Sequence, residues 1–254
     1  MNLKDVLSIN SHDRVIIAGG SESGKSTLAA GSKDYPFQKS ILGIFARNYP
    51  DAKILIVDTK PRFRANFDVR GLSDKNHYKN WVPGATILGS TRIVPGNLRD
   101  LDLAMSRSNI IICQSDKIDE DAGEVATTID AFRAQSDNNN SRLVYFDEVM
   151  DFYTSNGTPV RGSRNILIRC SRAGAERNLS TVFSTQRLKG IPPQYFELAT
   201  KIYLFRLDYL PDYKRLAESG APKDFLPPLE NHIFRVWDKN KNRGEVLGTF
   251  KVRI

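Results

Sequence analysis

The sequence predicts an α/β fold built on a mainly parallel sheet, and three observations carry that expectation. Short apolar runs rich in β-branched residues recur along the chain, stretches of helical character separate them, and only the last two runs follow one another at hairpin spacing. Runs that are apolar at consecutive positions read as strands buried on both faces, as in a sheet covered by helices on either side. In order they are RVIIA (14–18), KILIV (53–57), residues 85–88 with 92–94, NIIIC (109–113), RLVYF (142–146), STVF (180–183) and KIYLF (201–205). Helices are expected over residues 26–45, 119–134 and 163–172. The tail differs: IFRVWD (233–238), KNKNRG and EVLGTFKV (245–252) read as an antiparallel hairpin that turns at Gly244 and joins the sheet edge. No internal repeat or proline-rich linker interrupts the pattern, and DNNN (137–140) reads as a loop. The expected organisation is one domain over 1–254, with a core over about 14–210 and a C-terminal hairpin extension over about 230–254.

Composition narrows the class. With 254 residues, 40% hydrophobic and 26% charged, the chain is neither disordered nor collagen-like and holds enough apolar material for one sizeable core. No apolar run approaches the roughly 20 residues that cross a bilayer, and MNLKDVLSINSHDR carries charges where the apolar region of a signal peptide would lie. A cytoplasmic address is the expectation. Cys113 and Cys170 lie far apart in apolar or small-residue contexts and read as reduced structural thiols. His12, His77 and His232 are scattered, which argues against zinc chemistry. The net charge of +8 is segregated: residues 119–158 carry 2 Lys/Arg against 9 Asp/Glu, whereas residues 159–215 carry 11 against 4. A polyanionic partner is one reading of that excess, and solubility is the other.

The sharpest motif is VIIAGGSESGKST (15–27), where Gly19, Gly24, Lys25 and Ser26 fit G-x-x-x-x-G-K-[ST] between an expected strand and an expected helix. Small residues let the backbone of Gly19, Gly20, Ser21, Glu22, Ser23 and Gly24 turn its N–H groups toward phosphates, and a helix start adds its positive dipole end. Lys25 would reach the β- and γ-phosphates, Ser26 would ligate Mg²⁺, and Thr27 would contact the α-phosphate. ATP and Mg²⁺ are the expected cofactors. Such a loop needs an acidic partner at another strand end, which LVYFDE (143–148) supplies. Asp147 would hold the Mg²⁺ shell, and Glu148 would polarise the attacking water. STVFSTQ (180–186) ends in Gln186, an amide able to sense the γ-phosphate or hold that water, and KILIVDTK (53–60) ends in Asp58. A lone Gln or Asp at a strand end also serves as a turn former or cap.

Other P-loop classes fit less well. The nearest match to a guanine-reading N-K-x-D, Asp116–Asp119, lacks the asparagine and precedes the acidic strand, and there is no LSGGQ-like signature. The arginines follow the acidic strand instead of forming a kinase lid: Arg161, Arg164, Arg169, Arg172, Arg177 and Arg187. An arginine set beside a neighbouring subunit's γ-phosphate accelerates hydrolysis by about 10³-fold or more in known cases. The remaining arginines are free to meet a phosphate backbone or to form a solvated face.

The order P-loop, IVDTKP (56–61), YFDE (145–148), then SRAGAERNLSTVFSTQR (171–187) resembles the FtsK-HerA superfamily of DNA-pumping ATPases. In that family an arginine-rich "RAxG" segment leads into a strand ending in "TQR", matched here by Arg172, Ala173, Gly174 and by Thr185, Gln186, Arg187, and KIYLFRLD (201–208) looks like its next strand. The likeness covers roughly 14–210; DTKP stands where the family often has DPKG, which leaves the role of Asp58 open. It implies a pentameric or hexameric ring that moves double-stranded DNA through its pore. Gln186 is then the sensor and Arg172 the finger, with Arg164, Arg169 and Arg177 the alternatives that spacing leaves open. The chain shows neither the barrel or membrane-spanning parts of archaeal HerA and bacterial FtsK nor a winged-helix tail. A bare motor of this size is similar to the genome-packaging ATPases of tailless, internal-membrane viruses and phages, with a capsid vertex or membrane protein as a further expected partner. The alternatives are a conjugation-like or chromosomal DNA-transfer ATPase, a regulatory P-loop ATPase that does not bind DNA, and a phosphotransferase.

Two basic stretches would follow a DNA backbone without reading bases. One is residues 154–164, alternatively a solvated connection. The other is Lys60, Arg62, Arg64 and Arg70 with Phe63, Phe67, His77, Tyr78 and Trp81 interleaved, alternatively a surface subdomain with its own small core.

Overall fold

The computed structural model describes residues 2–32, 34–60, 62–71, 86–115, 117–135, 140–154, 158–163, 165–174, 178–226, 228–240 and 244–252. Its strands are β1 (Arg14–Ala18), β2 (Lys53–Asp58), β3 (Arg64–Phe67), β4 (Thr86–Ile93), β5 (Ile110–Gln114), β6 (Arg142–Phe146), β7 (Leu179–Thr185), β8 (Lys201–Leu204), β9 (Ile233–Asp238) and β10 (Glu245–Lys251). The helices are α1 (Leu3–Leu7), α2 (Lys25–Ala30), α3 (Ile41–Asn48), α4 (Leu98–Arg107), α5 (Ile118–Ala134), α6 (Ile166–Gly174), α7 (Pro193–Leu198) and α8 (Leu210–Glu218). All ten strands form one sheet in the order β10-β9-β8-β1-β7-β6-β2-β5-β4-β3. Every pairing from β8 to β3 is parallel, and β9 and β10 add the expected antiparallel hairpin at one edge.

The period of two decides which side chain goes where. Val15 and Ile17 of β1, Ile54 and Ile56 of β2 and Leu143 and Tyr145 of β6 face one core, shared with α1, α2 and α3. Ile16 and Ala18, Leu55 and Val57, and Val144 and Phe146 face the other, shared with α4 to α8. The result is a three-layer sandwich whose central strands are buried on both faces. Since β1, β2, β6, β7 and β8 run parallel, their C-terminal ends lie along one edge, where open α/β sheets bind ligands.

The structure differs from the sequence expectation in three places. Residues 26–45 form two helices: α2 stops at Gly31, whose φ of +86° no helix accommodates, and α3 starts afresh at Ser40, whose Oγ accepts from Gly43 N at 3.2 Å. The two apolar runs at 85–88 and 92–94 merge into β4, which continues through Gly89 at φ +73°. β3, α1, α4, α7 and α8 are additional elements. Of these α4 has a legible start, since Asn97 Oδ1 accepts from Asp100 N at 3.1 Å. No helix among the described residues is long and apolar enough to cross a membrane. Cys113 and Cys170 are both buried, and burial pushes each thiol up to about 12.

Gly43 on α3 packs on the 3₁₀ turn Phe37–Lys39 so closely that an added Cβ would lie 1.9 Å from the Phe37 carbonyl oxygen. That backbone cannot swing away as a side chain would. Gly43→Ala is therefore expected to lower unfolding free energy in urea by about 1–3 kcal/mol, the range for overpacking. An unchanged denaturation midpoint would contradict this packing.

Candidate active site

Leaving β1, the chain turns through the phosphate-loop motif into α2, with Gly24 in a left-handed conformation at φ +100°. Gly20 N donates to Arg206 O at 2.7 Å and Gly19 N to Thr185 O at 3.1 Å, which ties the loop to the ends of β8 and β7. Glu22 is also left-handed, at φ +56°, a conformation that strains a residue with a side chain. Lys25 folds back over this loop: its buried Nζ donates to Gly19 O at 2.8 Å and Gly20 O at 2.6 Å. Burial lowers its ammonium to about 8, with Glu148 and Asp147 opposing the fall and Arg62 and Lys60 adding to it. Ser23 is buried, while Ser21 and Glu22 are exposed.

β6 ends one strand beyond β7, and there Asp147 meets α2. Ser26 Oγ donates to Asp147 Oδ1 at 2.8 Å, and Tyr145 OH donates to the same oxygen at 2.9 Å. The Ser184 hydroxyl donates to the Asp147 carbonyl. Asp147 Oδ2 is buried with no hydrogen-bond partner among the described residues. A hydroxyl and a carboxylate at this spacing, one carboxylate oxygen lacking a hydrogen bond, are the hard oxygen donors that Mg²⁺ takes beside phosphates and water. These residues fit the ion. Glu148 follows, buried, with Oε1 accepting from Met150 N at 3.4 Å. Burial pushes its carboxyl up, Lys60 and Lys25 pull it back, and Asp151 adds to the rise.

β2 ends beside β6 in Asp58. Its Oδ2 accepts from Arg62 N at 2.9 Å, Phe63 N at 3.0 Å and Gln114 Nε2 at 3.0 Å, while Oδ1 is buried without a hydrogen bond among the described residues. Burial first, then the charge of Asp147, push Asp58 up to about 7. Arg62 lies in the site itself: Nη1 donates to Ser26 Oγ at 3.0 Å and stands 3.5 Å from Asp147 Oδ2. A pocket of about 300 Å³ over the loop is lined by residues 22–27 together with Arg62 and His232. The sequence assigns Arg62 to a DNA-following stretch and His232 to no site, so neither was legible as part of this pocket. The available signal for Arg62 was its place four residues past a strand-ending aspartate. His232 arrives only because β9 pairs antiparallel to β8, which brings the start of β9 to the phosphate edge.

The other expected residues are more dispersed. Gln186 is half-buried directly after β7. Arg187 stacks 4.4 Å from the Tyr209 ring and lies 3.9 Å from Asp212. Arg169 pairs with Asp130 of α5 at 2.7 Å, within its own chain. Arg172 is exposed and lines a cleft of about 620 Å³ with Lys189, Lys214 and Arg215. Of the second basic stretch, Lys60 pairs with Asp151 at 3.7 Å, Arg70 with Asp68 at 2.9 Å, and Phe63 is buried. Arg164, Arg177, His77, Tyr78, Trp81 and residues 155–157 lie outside the described residues.

Asp58 gives the site a pH signature. A carboxyl with a folded pKa of about 7 against an ordinary 3.8 holds its proton more tightly when folded. Its contribution to stability is therefore full below the ordinary value and is lost as pH rises through about 7. Asp58→Asn is expected to flatten the fall in urea stability between acid and neutral pH. Identical pH slopes in the two proteins would contradict the assignment.

No protein-family model and no curated protein matches the sequence. Solved structures do match. The genome packaging NTPase B204 from Sulfolobus turreted icosahedral virus 2, in complex with AMPPCP, superposes with a TM-score of 0.60 at 15% identity, covering 96% of this chain and 100% of that one. The same protein in complex with sulfate gives 0.60 at 14% identity over 97% and 99%. B204 from Sulfolobus Turreted Icosahedral Virus, described as a DNA-packaging ATPase, gives 0.55 at 15% identity over 96% and 100%. The chain thus has the P-loop NTPase fold of these proteins, across nearly its whole length.

Proposed function

We propose that this chain is an ATP-hydrolysing motor that assembles as a ring and translocates double-stranded DNA, packaging a viral genome into a preformed capsid. The observation that carries the reading is the meeting of Lys25 and Ser26 with Asp147 and Glu148 at the C-terminal edge of one parallel sheet, closed by the 2.8 Å bond from Ser26 to Asp147. The fold shared with viral packaging NTPases over 96% of this chain and the whole of theirs supports packaging over the other DNA-transfer readings.

The Gly19 and Gly20 amides, expected to face the phosphates, are instead bonded to Thr185 O and Arg206 O, so residues 21–24 would cradle the phosphates with backbone N–H groups, and Lys25 would meet the β- and γ-phosphates once it exchanges the Gly19 and Gly20 carbonyls for them. Ser26 and Asp147 would hold Mg²⁺, which when bound neutralises charge on the phosphate oxygens. Glu148 orients the attacking water and accepts its proton, a task its raised pKa suits. Gln186, at the end of the strand between β1 and β6, senses the γ-phosphate. Arg172 acts on a neighbouring subunit's nucleotide; its exposure suits that role, whereas Arg169 is already engaged by Asp130. Residues 154–164, which follow the acidic strand and the 3₁₀ turn Val149–Phe152 in sequence, would pass the hydrolysis event to DNA.

The reading predicts ATP turnover that rises on adding double-stranded DNA of any sequence and loses that stimulation with salt; a ring whose turnover ignores DNA would overturn it. Lys25→Ala is expected to abolish nucleotide binding or turnover. Glu148→Gln should bind ATP yet hydrolyse it slower by about 10²-fold or more, and normal turnover would remove Glu148 from the base role. Mixing inactive Arg172→Ala subunits with inactive Glu148→Gln subunits should restore turnover at mixed interfaces, and inactivity at every ratio would count against a finger acting in trans.

A further inference from the structure

Arg62 stands apart from the basic residues around it. Lys60 and Arg70 are paired with nearby carboxylates, but the Arg62 guanidinium reaches across to the phosphate loop. Its backbone is fixed from both sides. The Arg62 and Phe63 amides both donate to the buried Asp58 Oδ2, and the Phe63 ring, 2% exposed, packs edge-on to Tyr145 with centroids 6.2 Å apart. The side chain therefore leaves the connection between β2 and β3 from a backbone anchored to the end of β2, the strand that pairs with β6. Its Nη1 makes both contacts, 3.0 Å to Ser26 Oγ and 3.5 Å to Asp147 Oδ2. Nε and Nη2 remain further donors of a fork whose geometry matches phosphate oxygens. The side chain is 45% exposed and lines the same small pocket as residues 22–27.

We infer that Arg62 is a phosphate-contacting residue of its own subunit's nucleotide site, binding the terminal phosphates of a nucleoside triphosphate together with Lys25. This rests on the reading that the pocket binds ATP, and it withdraws Arg62 from the DNA-contacting stretch. A triphosphate lying over the loop would meet both Lys25, held on the Gly19 and Gly20 carbonyls, and Arg62, held over Ser26, since both line the pocket. Cationic contact in cis then comes from Lys25 and Arg62 together, while contact in trans falls to Arg172.

The test is equilibrium binding of ATP, inorganic triphosphate and AMP in EDTA to the wild-type chain and to Arg62→Ala, Arg62→Lys and Lys25→Ala, with thermal melts as a check on folding. Arg62→Ala should weaken ATP and triphosphate by about tenfold or more and AMP by less than about twofold, with Arg62→Lys between the two. ATP and triphosphate binding by Arg62→Ala at the wild-type level, or a loss confined to double-stranded DNA binding, would overturn the inference. Loss of triphosphate binding in Lys25→Ala alone keeps the pocket's assignment while rejecting Arg62. Undiminished ATP binding together with undiminished turnover in Lys25→Ala would reject the pocket's assignment and the inference with it.

Discussion

Ser26 and Asp147 are 121 residues apart in sequence, and the hydrogen bond between them is possible only because a parallel sheet delivers its strand ends to one edge. β1 and β6 are not paired with each other; β7 lies between them and pairs with both. The distance from the phosphate loop to the acidic strand is therefore two strand spacings, about 10 Å of backbone separation, bridged by α2 on one side and the Asp147 side chain on the other. Any slip of β7 by one residue would exchange its two faces and carry Ser184 away from the Asp147 carbonyl. Burial on both faces guards against that slip, since Val182 packs in one core and Phe183 in the other.

The edge concentrates charge that the fold alone would not tolerate. Asp58, Asp147 and Glu148 are all buried, and the cations that face them are Lys25, Lys60 and Arg62. A buried carboxylate without a partner is costly, so these groups either shift toward their neutral forms or bind a cation. Asp58 takes the first course, and its remaining oxygen anchors the backbone that aims Arg62. Asp147 takes the second, with one oxygen filled by Ser26 and Tyr145 and the other facing Arg62. The polar arrangement at the strand ends is thus a response to burial, and the same burial strengthens every interaction that a bound polyphosphate would make there.

Central strands, the phosphate loop and the acidic strand were legible because each is written locally: a both-faces-apolar run, a glycine spacing, two carboxylates closing a hydrophobic stretch. What was not legible depends on partners distant in sequence. Arg62 read as one of a basic group because Lys60, Arg64 and Arg70 are its neighbours along the chain, whereas its position is set by Asp58 and Ser26. Arg169 and Arg172 look equivalent on a helix until Asp130 of α5 is placed beside one of them. The helix expected over 26–45 failed on Gly31, where backbone freedom outweighed the helical pattern on either side. The terminal hairpin was read correctly as a hairpin, but His232 could not be placed in the pocket without knowing that β9 joins next to β8.

The proposed nucleotide site makes Ser26 and Asp147 the joint holders of the metal ion. The most direct measurement is electron paramagnetic resonance of Mn²⁺ titrated with protein and ATP, following the free-ion signal. Wild-type protein should deplete that signal in an ATP-dependent manner, and Asp147→Asn, still folded and still binding ATP, should deplete it far less. Equal ATP-dependent uptake of Mn²⁺ by both proteins would contradict the account.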